Sequence, residues 1–276
     1  MNKTEDIGAL IFSALMEEVD LTPKPGLVDR HDSGAHTDMD HHSFELSAAA
    51  VTPYLQQMYS DGLVTDDPEE LFRKIRKTGI EAEKAMYAAT GGVNTHKGMI
   101  FLMGVAAAAA GWSFAHCEKP DPYIVMDTAG KMTAKTLSEE LAVISEREPE
   151  THGEKLYSAY GFKGARQQPM EGFPILREAY PLMEERRRIM TADEADTDVL
   201  LFIISKLDDT TVLYRKDIDT LRKVKKRAAE ILTAAQKEKK HLIEAWNREC
   251  IREHISPGGS ADLLAVTILL YQLFHN

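Results

Sequence analysis

The sequence predicts an all-α protein, a single globular domain over residues 1–276 with about ten helices and no significant sheet. Three observations predict it. Nearly every informative segment repeats its apolar residues with helical period, almost none alternates as a strand does, and no fixed-period repeat or low-complexity linker divides the chain. The length exceeds the usual domain of roughly 100 to 200 residues yet suits one large helical core. With 43% apolar and 28% charged residues, the composition is that of a globular chain rather than a disordered one.

Ile7, Leu10, Ile11, Ala14 and Leu15 recur at helical spacing behind a candidate cap at Thr4, giving the first amphipathic helix. A second runs from Ser43 to Tyr59. Asp67-Pro68-Glu69-Glu70 reads as a capped start with proline in the first turn, ahead of Leu71, Phe72, Ile75, Ala82, Ala85 and Met86; Gly79 weakens that helix slightly. The Ala- and Gly-rich run from Gly98 to Gly111 reads as a buried helix. Asp121-Pro122 opens a helix whose stripe is Val125, Thr128, Ala129, Met132, Leu137, Leu141 and Ile144. Thr191 and Glu194 form a Thr-x-x-Glu capping box before Val199 to Phe202. Ile218 through Ala235 marks one long amphipathic helix with a Lys/Arg-rich outer face, read as a solvated face ahead of a docking patch. The last helix opens at Ser260, as its cap, and runs from Leu263 to Phe274.

Several partners are excluded by composition. With 33 basic against 44 acidic residues the net charge is −11, which argues against nucleic acid. Cys117 and Cys250 show no CxxC or zinc spacing, so the cysteines suit a reducing cytoplasm. The acidic N-terminus is unlike a signal peptide, and the apolar run from Met99 to Ala115 is shorter than the ~20 residues of a bilayer span.

The unusual residues lie in loops, where a rigid scaffold presents function. Thr22 to Arg30 carries two prolines that stiffen Lys24, Asp29 and Arg30, either as a ligand contact or as an interhelix connection. It runs into a knot of imidazoles and carboxylates in which Asp38 and Asp40 offer hard oxygens for Mg²⁺ or a general base; the alternative is that Asp40 or Ser43 caps the next helix. Thr90 to Gly98, with Gly92, Asn94, Thr95, His96 and Lys97, places glycines and a cation before a helix N-terminus, which suits a phosphate chain without being a Walker loop. Ser256 to Asp262 is a second glycine turn before an apolar helix, with Asp262 complementing the helix dipole. Leu207 to Arg215 pairs Asp208 and Asp209 with Arg215, or forms a local salt bridge.

TPKPGLVDR at 22–30, GAHTDMD at 34–40, Ala82-Glu83 and Met86 upstream of GVNTHKGMIF at 92–101, DTTVLYR at 209–215 and SPGGSADLLAVT at 256–267 resemble the motif series of the triphosphoribosyl-dephospho-coenzyme A synthases. The resemblance spans about residues 17 to 270 and implies an all-helical enzyme. Such an enzyme joins ATP to 3'-dephospho-coenzyme A and releases adenine, making the precursor of the acyl carrier prosthetic group of citrate lyase or malonate decarboxylase. A separate carrier-protein transferase acts downstream, and the sequence leaves open whether the chain forms a homo-oligomer. The chain departs from that family at Gly164-Ala165-Arg166-Gln167-Gln168-Pro169, where a carboxylate is missing, and at Lys216 and Asp217, which stand where glycines are usual.

On this resemblance, Lys24, Asp29, Arg30, Gly92, Asn94, Thr95, Lys97, Arg166, Arg215 and Ser260 bind the nucleotides, and Asp38, Asp40 and Glu83 hold Mg²⁺. Asp209 is the expected base, and His96 a proton donor or a polar contact. Two rival readings are a nucleotide N-glycosidic hydrolase, with water as acceptor, and a non-catalytic nucleotide sensor or carrier-protein chaperone.

Overall fold

The computed structural model describes residues 3–144, 148–149 and 152–275; among these are thirteen α-helices, one short 3₁₀ turn and no strand. The helices are α1 (Lys3–Asp20), α2 (His41–Val64), α3 (Pro68–Ala89), α4 (Lys97–His116), α5 (Pro122–Ile144), α6 (His152–Tyr160), α7 (Gln167–Met170), α8 (Pro174–Arg187), α9 (Ala192–Lys206), α10 (Thr210–Arg215), α11 (Ile218–Leu232), α12 (Gln236–Glu253) and α13 (Gly258–His275). The all-α expectation holds. The side chain of Thr4, the candidate first cap, lies outside the described residues.

The core is organised around α4, which packs against α2, α3, α5 and α13. Its composition explains its place. The run Val105 to Ala110 is buried on every side, and such small side chains let neighbouring backbones come close. A Cβ on Gly111 would lie 2.0 Å from the Tyr59 carbonyl oxygen, and one on Gly62 would lie 2.2 Å from that of Ala108, so α2 and α4 touch backbone to backbone. By length and composition α4 could cross a membrane, yet 72% of its apolar window is buried inside the protein. The second largely buried helix, α13, lays Leu263 to Leu270 against α1, α4, α8 and α9.

The caps predicted at Asp67, Thr191 and Asp40 form where their chemistry requires. Asp67 accepts from the amides of Glu69 and Glu70, and Thr191 and Glu194 close a capping box. Asp40 and Ser43 close another at the start of α2. One predicted boundary is corrected: the helix expected from Ile218 to Ala235 ends at Leu232, and a further helix that was not expected, α12, begins at Gln236. Thr233 turns its hydroxyl onto the carbonyls of Ala229 and Glu230, ending α11, and Ala235 in extended conformation starts α12. The polar α12 escaped the reading because only a narrow stripe, Ile243, Trp246 and Cys250, faces the core.

Gly111→Ala is expected to destabilise the protein by about 1–3 kcal/mol, because the added methyl must push α2 off α4. Urea unfolding checks this, and an unchanged midpoint would contradict the close approach.

Candidate active site

Glu18 at the end of α1, the 24–39 loop, the first turns of α2, α4 and α13, and both ends of α10 meet around one cleft of about 220 Å³. That is below the ~300–1,000 Å³ of sites that enclose a drug-sized ligand, so the cleft is too small to enclose two whole nucleotides. The first turns of α4 and α13 supply several lining residues and that of α2 supplies Phe44, and His96, the N-cap residue of α4, makes no side-chain capping bond. Helix N-termini favour negative charge.

Of the residues expected to bind nucleotide, Lys24, Asn94, Thr95, Lys97 and Arg215 line the cleft, as does His96. Lys24 is 1% exposed; its Nζ sits 2.6 Å from Glu18 Oε1 and 2.7 Å from the Glu18 carbonyl oxygen. Lys97 stands at the rim, 3.0 Å from Glu83. Asn94 Oδ1 accepts from the Lys97 amide, fixing the turn into α4. Arg215 reaches across to His36 Nδ1 at 3.3 Å, and His36 Nε2 lies 2.9 Å from Ser256 Oγ. Burial, and then the Arg215 charge, push the His36 pKa down to about 4, so it bridges the two sides as a neutral ring.

His96 is enclosed. Its amide donates to Met86 Sδ, its Nδ1 lies 2.6 Å from Ser47 Oγ, and Phe44 packs edge-on at 4.9 Å. Its Nε2 has no protein partner. Burial, aided by the Lys24 charge, lowers its pKa to about 3. An imidazole neutral at pH 7 is not a proton-donating acid, so the structure favours the polar-contact alternative for His96.

Other expected residues stand elsewhere. Asp209, the expected base, is 2% exposed and does not line the cleft; Oδ1 takes the amide and hydroxyl of Thr211, and Oδ2 takes those of Ser260. Both oxygens are occupied, so Asp209 is a brace, and Ser260 is its partner rather than the cap of α13. Asp29 likewise braces its own loop through the amides of Lys24, His31 and Asp32. Arg30 points outward to Asp20 at 2.6 Å. Gly92 helps end α3, its amide bonded to the Tyr87 carbonyl, with open space where a Cβ would go. Arg166 lies in the turn beside Thr210, outside the cleft lining.

The expected metal set does not assemble. Asp40 caps α2, Glu83 pairs with Lys97, and Asp38 is largely exposed, 3.9 Å from His36. Among the described residues no group of three or more His, Cys, Asp or Glu could hold a metal ion.

The sequence reading missed Glu18, His36, Ser47 and Asp262. Asp262 matters most. It lines the cleft one turn into α13, so close to α4 that a Cβ on Gly98 would sit 2.3 Å from its Oδ2. The residue is partly open to the cleft, while its carboxyl is desolvated. That desolvation, reinforced by the carboxylates of Glu18 and Asp209, holds its pKa well above the usual carboxylate range.

A cleft lined by three cations, helix first turns and a carboxyl of raised pKa offers what an enzyme acting on a phosphorylated substrate requires. The chain belongs to the ATP:dephospho-CoA triphosphoribosyl transferase (CitG) family, whose pattern matches residues 4–276. A relative from Haemophilus ducreyi, named 2-(5''-triphosphoribosyl)-3'-dephosphocoenzyme-A synthase, is 35% identical over 297 aligned positions covering 99% of this chain and 90% of its own. One from Vibrio cholerae serotype O1, named "Probable 2-(5''-triphosphoribosyl)-3'-dephosphocoenzyme-A synthase", is 38% identical, covering 97% and 88%. A structure titled "Crystal structure of putative triphosphoribosyl-dephospho-coA synthase from Archaeoglobus fulgidus" shares the fold with a TM-score of 0.57 at 15% identity, over 83% of this chain and 98% of that one.

The Asp262 environment predicts a pH-dependent stability difference. A folded-state pKa above the unfolded value of about 3.9 means that folding loses stability as pH rises from there through the folded pKa. Asp262→Asn removes the ionisation. In paired urea titrations the variant is expected to match the wild type near pH 4 and to exceed it at pH 8; a gap independent of pH would contradict the desolvated carboxyl.

Proposed function

We infer that this chain is a triphosphoribosyl-dephospho-CoA synthase, which transfers the 5''-triphosphoribosyl group of ATP to the 2'-hydroxyl of 3'-dephospho-CoA and releases adenine. The observation that carries the reading is the meeting of Lys24, Lys97, Arg215, His96 and Asp262 from distant loops in one cleft, in a chain of this family. In the reaction the acceptor oxygen forms a bond to C1 of the ATP ribose while the C1–N9 bond breaks. The bonding pair leaves with adenine, which ends with the proton the hydroxyl gives up. Charge develops on the sugar and on the purine, not at phosphorus.

Each cleft residue suits one demand of that step. Lys97 and Arg215, at the rim, suit the triphosphate, with the α4 N-terminus behind them. Lys24, locked against Glu18, supplies a fixed positive charge whose partner is already in place. Asp262 is our candidate for the base that takes the hydroxyl proton, because a raised pKa strengthens a carboxylate base once ionised. Mg²⁺ enters this account only as part of the ATP complex. Use of ATP and dephospho-CoA fits a cytoplasmic enzyme, whose product would be consumed by a carrier-protein transferase serving citrate lyase or malonate decarboxylase.

Incubation with Mg-ATP and 3'-dephospho-CoA is expected to release adenine only when both are present. Adenine from ATP alone would instead indicate a hydrolase, and none under either condition a binding protein. Lys97→Ala is expected to raise the KM for ATP about 10-fold, the lower end for a charge-assisted contact because Lys97 is half exposed. An unchanged KM in a folded variant removes Lys97 from the phosphate site. Because the base must be ionised, kcat should rise with pH through an apparent pKa above the ordinary carboxylate range, and Asp262→Asn should lower kcat and abolish that limb. A persisting limb would assign the base elsewhere.

A further inference from the structure

Ser47 is fully buried in α2 and sits between two residues of the cleft wall. Thr95 donates its hydroxyl to Ser47 Oγ at 2.7 Å, and His96 Nδ1 lies 2.6 Å on its other side. A serine hydroxyl has one proton. With Thr95 already donating to Ser47, that proton goes to His96 Nδ1, which then accepts. A neutral imidazole carries its remaining hydrogen on the other nitrogen. His96 therefore presents Nε2–H, and Nε2 is the buried ring nitrogen that no protein atom satisfies. An unmade hydrogen bond on a buried donor is costly, which points to a ligand atom as its partner. The Phe44 edge contact and the Nδ1 bond to Ser47 hold the ring in this orientation, and the bond from the His96 amide to Met86 Sδ holds its backbone.

Resting on the transferase reading, we propose that Ser47 is a positioning residue that locks His96 as a hydrogen-bond donor toward a ring nitrogen of the departing purine. The purine receives the electron pair of the C1–N9 bond, so a donor on N3 or N7 strengthens as the bond breaks and stabilises the transition state more than bound ATP. The donor keeps its own proton. Its low basicity fits the role, since the ring stays neutral throughout the working range. Thr95→Ser47→His96 is thus a one-way chain of hydroxyl donors ending on an imidazole.

The tautomer is measurable without turnover. In ¹⁵N-histidine NMR of the ligand-free protein, with the signal assigned by its loss in His96→Gln, His96 Nε2 should be protonated and Nδ1 unprotonated from pH 6 to 8. The reverse tautomer, or an imidazolium, overturns the proposal. Ser47→Ala should mix the two tautomers and lower kcat about 10- to 100-fold, as loss of a histidine-orienting partner does, while KM for ATP changes little. Unchanged tautomer and kcat together would overturn it.

Should that variant not fold, ATP analogues decide. Wild-type kcat/KM should fall with either 3-deaza-ATP or 7-deaza-ATP, and for that analogue His96→Ala should cost little more. Multiplying losses for both analogues would overturn the purine contact. Absence of any adenine release from the wild type would instead count against the transferase reading, leaving the NMR result to stand on its own.

Discussion

The carboxylate of Asp209 fixes the geometry on which the cleft depends. Both of its oxygens are engaged, one by the amide and hydroxyl of Thr211 and the other by those of Ser260, so a single side chain ties the start of α10 to the start of α13. Gly259 follows from this tie, since a Cβ there would lie 3.3 Å from both Asp209 oxygens. Once α13 begins there, Asp262 faces Gly98 at the head of α4. Once α10 begins there, its last residue Arg215 reaches the 34–39 loop and meets His36. A residue outside the cleft thereby sets the position of two residues within it.

The electrostatics of the cleft run against those of the whole chain. A net charge of −11 surrounds a site where Lys24, Lys97 and Arg215 converge. Lys24 is buried with Glu18 as its partner, a pair that holds direction more than it adds stability. Asp262 lies among carboxylates and resists ionisation. His36 and His96 remain neutral for lack of solvent. Such arrangements cost folding free energy and are typical of sites that need a base of raised pKa and donors of fixed direction.

Much of the fold was legible in the sequence because helical period and capping chemistry are local. Thr191 with Glu194 three residues on, and Asp67 with Pro68 beside it, marked helix starts from residues close in the chain. The resemblance assigned residues of several motif loops to nucleotide binding, and the cleft lining includes residues of the 22–30, 34–40, 92–101, 209–215 and 256–267 motifs but none of the 164–169 loop. Individual roles were less legible, because an aspartate that caps and one that faces substrate look alike until their partners are known. Asp40 and Asp209 cap helices, whereas Asp262, read only as complementing a dipole, faces the cleft. Ser47 and Glu18 carried no motif; each sits on an ordinary helical face, and only the tertiary contact with His96 or Lys24 gives it meaning.

The central claim is that the loops around residues 24–28, 94–99, 211–215 and 256–262 form one site for ATP and its acceptor. Hydrogen-deuterium exchange of the intact chain, with and without Mg-ATP plus 3'-dephospho-CoA, tests this most directly. The account predicts that all four segments gain protection together, while the outer faces of α3 and α12 do not. Protection confined to one segment, or spread over a surface away from the cleft, would contradict it.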